Sequence, residues 1–177
     1  METLACIQAR RSIRRYSDAP VRADLIEKLV DSARFAPSWA NTKAIRYLCI
    51  TDPSVKAAVA RCADAANAGY IEQCPALFVL TGVLGRSGTD RAGGRYYHTP
   101  KEWLMMDAGL AAEALCLAAH DLGLGTLIMG SFDGDGITEL LEIPGDQGLI
   151  ALIAVGYPAE APAAPRRKQV SEILTII

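Results

Sequence analysis

The stretch "KEWLMMDAGLAAEALCLAAHDLG" constrains the fold more than any other part of the chain. It reads as a helix over about 101–121 whose apolar residues fall on nearly every side, and a helix of that kind must be covered all round. In a chain of 177 residues, part of that cover is expected from a second subunit. "ALFVLTG" (76–82) is an unbroken apolar run of strand length, expected as a central strand covered on both faces. "GTLIMG" and "GLIALIAVGYP" read as two further strands, with a short helix around 136–142 between them.

The first half carries lighter elements. A short helix is expected over 3–9. Leu25, Ile26, Leu29, Val30 and Ala33 repeat at helical spacing until Pro37 ends the pattern. "RYLCIT" (46–51) reads as a strand, and Asp52-Pro53 caps and opens a helix expected over 53–66. The polar stretch 83–103 is long for a compact domain and suits a lid, a binding loop, local disorder or a structural loop covering a dimer. The tail from about 157 to 177 begins rich in Pro and Ala and ends apolar, as an arm lying on a partner subunit would. No repeat or internal boundary interrupts the chain, so 1–177 is expected to be one domain.

Composition matters most at "ARRSIRRYS" (9–17), which gathers Arg10, Arg11, Arg14 and Arg15. The chain has 18 basic and 20 acidic residues, a net charge of −2. That balance gives no global field for nucleic acid or an anionic membrane, so neither partner is expected. A targeting leader would carry an apolar segment after the arginines, whereas "YSDAPVRADLIEK" follows and reads as folded protein. A solvated helix face and a seat for a specific anion stay open. Arg10, Ser12 and Arg14 alternate, so an extended segment would converge one hydroxyl and two guanidiniums, the donors a phosphate monoester needs. "PRRKQ" (165–169) is a second basic knot. A tail that wraps back would bring Arg166, Arg167 or Lys168 to the same anion.

"APSWANTK" (36–43) is the other candidate site. Ser38 and Asn41 offer polar side chains and Trp39 a flat face, a set that suits a planar heteroaromatic ligand; the same residues also make an ordinary loop. In "LGLGTLIMGSFDGDG" (122–136) glycines let backbone approach a ligand, but Ile128 stands where a dinucleotide fingerprint requires its last glycine. "SFDGDGITELLE" imitates calcium-loop spacing at Asp133, Asp135, Gly136 and Glu142. It lacks the opening acid at Ser131 and the apolar residue at Thr138, so no metal is expected. The five scattered cysteines fit neither a zinc site nor a disulfide framework, which suits a reducing cytoplasm. No segment reaches the roughly 18–20 apolar residues of a membrane span. His98 and His120 stand alone, and no nucleophile–base–acid pattern emerges.

Four segments in register resemble the FMN-dependent nitroreductase family across nearly the whole chain. They are "RRSIRRY" (10–16), "APSWANTKAI" (36–45), "DAGLAAEALCLAAHDLGLGTLIMG" (107–130) and "GYPAEAPAAPRRK" (156–168). The resemblance implies an α+β fold, a three-layer α/β/α sandwich with a mainly antiparallel central sheet, and an intertwined homodimer with FMN in two interface pockets. It assigns Arg10 and Ser12 to the flavin phosphate with Arg11 beside them, and Arg14 to the pyrimidine edge. Pro37, Ser38 and Asn41 correspond to the loop that the other subunit lays against the flavin. Met129 and Gly130 correspond to backbone facing the flavin ring near N5. Arg167, with Arg166 next to it, corresponds to a C-terminal phosphate contact.

Lys43, Ala44 and Ile45 depart from the family's Gln-Pro-Trp. A Lys43 ammonium beside the flavin would favour the reduced anion; pointing to solvent, it would change nothing. The resemblance further implies an NAD(P)H oxidoreductase with a ping-pong cycle, using NADH or NADPH and reducing nitroaromatics, quinones or similar flat acceptors. Trp39, Tyr96, Tyr97 and Trp103 are the expected substrate contacts. Two alternatives are a flavin-binding module with little turnover and a specialised branch such as a reductive dehalogenase.

Overall fold

β2 (Ala76–Val83) is buried along its whole length, and the fold is built around it. In the computed structural model, which describes residues 2–89 and 100–177, β2 lies in a four-stranded sheet of order β1-β2-β4-β3. Its neighbours are β1 (Ile45–Ile50), β4 (Gln147–Gly156) and β3 (Gly125–Met129), and every pairing is antiparallel. Side chains alternate across a strand, so β2 serves two cores. Ala76, Phe78 and Leu80 point to one face with Ala151, Ile153 and Val155 of β4. Leu77 and Val79 point to the other with Leu152 and Ala154.

Helices cover both faces, which gives the three layers. On the first, α2 (Ala23–Ala33) and α5 (Pro100–Asp121) bury Leu29, Ala33, Leu115 and Ala119. On the second, α3 (Pro53–Ala60), α4 (Ala65–Gln73) and α6 (Gly134–Leu140) bury Val59, Ile71 and Ile137. A short α1 (Thr3–Ala9) precedes the arginine segment. The long helix is covered except along one stripe, where Met105 and Met106 are about half exposed at 50% and 53%. All five cysteines are unpaired; burial pushes the Cys49 and Cys74 thiols up to about 11.

The helix expected over 53–66 is two helices. α3 stops at Ala60, Ala63 makes an isolated bridge to Phe132, and Asp64 starts α4 by accepting from the Ala66 and Asn67 N–H groups. The buried Lys56 ammonium donates to the Cys74 carbonyl, tying α3 to the end of α4. Asp52 caps α3 in the same manner, accepting from Ser54 N at 2.8 Å and Val55 N at 3.1 Å.

These hydrogen bonds hold the Asp52 and Asp64 carboxyls below the usual carboxylate range. A depressed carboxyl contributes stability above its unfolded pKa, near 3.9, and loses it as pH falls through the folded value. The expected result is that the double variant D52A/D64A melts below the parent protein at pH 7, and that the gap closes by about pH 2. Thermal melts across that range check it.

Candidate functional site

Residues 10–17 run extended and are bonded on both sides. On one side Ile13 N donates to Thr126 O at 2.9 Å, and Ser12 bridges Thr126 in parallel. On the other, Ser17 N donates to Tyr157 O and Ala159 N to Arg15 O, both at 2.9 Å, while Arg14 N donates to Glu160 Oε1 at 2.6 Å. Ile13 and Tyr16 point inward, and the Tyr16 hydroxyl donates to Ile13 O at 2.6 Å. Burial raises the Tyr16 pKa, so this phenol stays protonated. The close approach to β3 depends on Gly125, where a Cβ would stand 2.8 Å from the Cβ of Ile13.

This lacing joins the two ends of the chain at one pocket of about 250 Å³. Arg10, Arg11, Ser12 and Arg14 line it from the N-terminal side, and Pro162, Pro165 and Arg167 from the tail. Four guanidiniums and a hydroxyl around so small a space suit an anion with several oxygens. Arg10 carries the clearest signal. Its buried Nε has no hydrogen-bond partner; Glu113 Oε1 lies 3.5 Å away, near enough to attract the charge but not aligned to accept the hydrogen. An orphaned buried donor at the mouth of a cationic pocket is what a missing phosphate oxygen would leave. Arg11 is partly committed, since its Nη1 donates to Gln8 O at 2.6 Å and Arg10 O at 2.8 Å.

The second site residues meet elsewhere in the same chain. Pro37, Ser38, Asn41 and Lys43 line a pocket of about 760 Å³ with Tyr47, Asp107 and Ala111. The turn that carries them is strained, with Ala40, Asn41 and Lys43 at φ of 42°, 55° and 54°. Each left-handed residue other than glycine or asparagine costs about 1–2 kcal/mol, and such clusters persist where surrounding structure over-determines them. Lys43 N donates to Ser38 Oγ at 3.1 Å, and Arg46 Nη1 donates to Lys43 O at 2.8 Å. Asp107 holds the turn from α5 by accepting from Trp39 N at 2.9 Å. Trp39 packs against Trp103, with ring centroids 4.4 Å apart.

The remaining assignments divide. Met129 buries its side chain in the core under α3, α4 and α6, leaving only backbone for other work, and Gly130 is exposed. Neither lines the arginine pocket, and Arg166 is exposed and outside its lining too. Tyr96 and Tyr97 lie outside the described residues. Residues 157–160, expected in an arm lying on a partner, are tied to their own chain by the backbone bonds of Tyr157 with Ser17 and Ala159 with Arg15, and by the Glu160 side chain accepting from Arg14 N. Further on, Val170, Ile173 and Leu174 are exposed at 54–69%. Among the described residues no cluster of His, Cys, Asp and Glu could hold a metal, and no helix is long and apolar enough to cross a membrane. Sequence reasoning missed Asp107, Glu160 and Gly125. Asp107 shares α5 with Glu102, Glu113 and Asp121, so its one signal was its place at the start of the segment 107–130; nothing local marks the other two.

The chain is matched by the family model described as "Nitroreductase family" over residues 7–157. It is 29% identical over 174 residues to an NADH dehydrogenase of Thermus thermophilus, covering 85% of this chain and 84% of the relative. It is 25% identical over 178 residues to an FMN reductase [NAD(P)H] of Bacillus subtilis, covering 94% and 70%. Among solved structures, a nitroreductase family protein of Streptococcus pneumoniae shares the fold at a TM-score of 0.87 and 23% identity, covering 99% of this chain and 100% of that one.

Proposed function

This chain belongs to the nitroreductase family, and from that premise we propose that it is an FMN-dependent NAD(P)H oxidoreductase acting as a single-domain homodimer. The observation that carries the reading is the convergence of Arg10, Ser12 and Arg14 with Arg167 on one small pocket. Those groups fit a phosphate monoester in the number and charge of their donors. Relatives such as the FMN reductase above supply the cofactor and the reductant.

In this reading Arg10, Ser12 and Arg167 hold the flavin phosphate, with Arg11 and Arg166 beside it and Arg14 toward the pyrimidine edge. Backbone at Met129 and Gly130 faces the ring. The turn bearing Pro37, Ser38, Asn41 and Lys43 is assigned to the second copy, as the family resemblance implies; in its own chain it lines a pocket apart from the arginines. The half-exposed Met105 and Met106 stripe and the exposed apolar tail support a dimer, because such surface is normally covered. Bound FMN would supply the redox chemistry, in the reading of a ping-pong hydride transfer through N5 between NAD(P)H and a nitroaromatic, a quinone or a similar flat acceptor. The protein's part is to fix the phosphate, shape a slot for planar molecules with Trp39 and Trp103, and keep water from the stacked face.

The visible spectrum of the purified protein tests this. Flavin bands that bleach when NADH or NADPH is added without oxygen are the expected result. Yellow protein that stays unbleached would leave only a flavin-binding module, and protein that cannot take up FMN would end the proposal.

A further inference from the structure

We infer that Asp107 is the positioning residue for the strained turn: from the rigid helix α5 its carboxylate fixes residues 38–43 to the segment 84–89 and so sets the shape of the larger pocket. Asp107 is 2% exposed, as is Ser87. Its Oδ1 accepts from Trp39 N at 2.9 Å and its Oδ2 accepts from Ser87 Oγ at 2.6 Å. Ser87 Oγ lies 3.5 Å from Thr42 Oγ1, so the network returns to the far side of the same turn. Trp39 Nε1 donates to Thr89 O at 3.3 Å, a second link between the two segments.

A buried carboxylate is costly and is tolerated where its hydrogen bonds fix something. The turn's internal bonds, Asn41 N to Ser38 O and Thr42 N to Trp39 O, give it a shape without attaching it to the fold. Its left-handed residues would relax if the attachments were cut. Asp107 is a hydrogen-bonded attachment from α5, beside the packing of Trp39 on Trp103 of the same helix, and it forms part of the pocket wall beside Ser38, Asn41 and Lys43.

The inference rests on the proposed function only for its effect on turnover. The chain's two tryptophans are the neighbouring pair Trp39 and Trp103, tilted at 51° to each other, so the tryptophan fine structure of the near-ultraviolet circular dichroism, compared between variant and parent in the same flavin state, reports on how this turn packs against α5. In D107A the tryptophan signal is expected to collapse, in protein as purified and after flavin removal. The KM for menadione is expected to rise about tenfold while kcat changes less than about threefold. D107N restores both readouts, because its carbonyl still accepts from Trp39 N and its amide donates to Ser87 Oγ.

A D107A protein that keeps the parent tryptophan signal and KM would overturn the inference, whatever its melting temperature. If D107A does not fold, S87A carries the test, with a partial loss of the signal expected and an unchanged spectrum overturning it. A parent protein without turnover would instead count against the oxidoreductase reading, and the tryptophan signal would still decide the role of Asp107.

Discussion

Replacing Arg10 with alanine is expected to weaken FMN binding by about 10- to 150-fold, the range of a charge-assisted hydrogen bond worth about 1.5–3 kcal/mol. Arg10 is singled out among the four arginines of the pocket by what the others are doing. Arg11 is held by two carbonyls at the end of α1, and Arg14 and Arg167 are exposed, where screening weakens each charge. Arg10 keeps a buried Nε without a hydrogen-bond partner. Its neighbour Glu113 is 47% exposed, so the truncation leaves a solvated carboxylate and little penalty to folding. Flavin fluorescence titration of the stripped protein measures the change. Arg15 is exposed and does not line the pocket, so R15A should stay within about twofold of the parent protein. Equal affinities for parent and R10A would move the phosphate seat elsewhere.

The second large effect is expected from Gly125→Ala. The added methyl would lie 2.6 Å from Ile13 Cγ1 and 2.8 Å from Ile13 Cβ. A β-branched side chain cannot swing clear at its Cβ, so the backbone of 12–14 must move off β3. Overpacking of this kind costs about 1–3 kcal/mol, or a melting temperature lower by roughly 2–12 °C for a chain of this size. FMN affinity should fall with it, since Ser12 and Arg14 move with Ile13. The double variant G125A/I13A should lose less than the sum of the two single variants, because the Ile13 Cγ1 contact is gone although its Cβ remains, a coupling that a thermodynamic cycle isolates. Additive losses in that cycle would show that the two residues do not meet as described.

The parts legible in the sequence were those decided by local pattern. β2 could be read as a doubly covered strand because its apolar run is unbroken, and α5 as a long helix because its polar residues are so few. The chemistry of the arginine cluster was visible as well, though its partner Arg167 needed either a resemblance or a structure. What stayed hidden depends on through-space neighbours. α4 was missed because "AANAGYIEQ" has no apolar stripe; Asp64 and packing on α3 make it a helix. Gly125 has a meaning only once Ile13 lies across from it. The left-handed conformation of Ala40 cannot be read from a residue that ordinarily prefers helix. It follows from the attachments of Trp39 to Asp107 and Thr89, which lie beyond any local window.

The bond from Arg14 N to Glu160 joins residues 146 positions apart, and it bears on the order of folding. Closing so wide a loop is entropically costly until the intervening sheet has formed. The proposed phosphate seat is therefore expected to assemble late, after β4 has docked between β2 and β3, too late for a ligand to template the early collapse. Flavin captured at that stage is then expected to slow unfolding more than it speeds refolding, which unfolding and refolding rates with and without FMN would check.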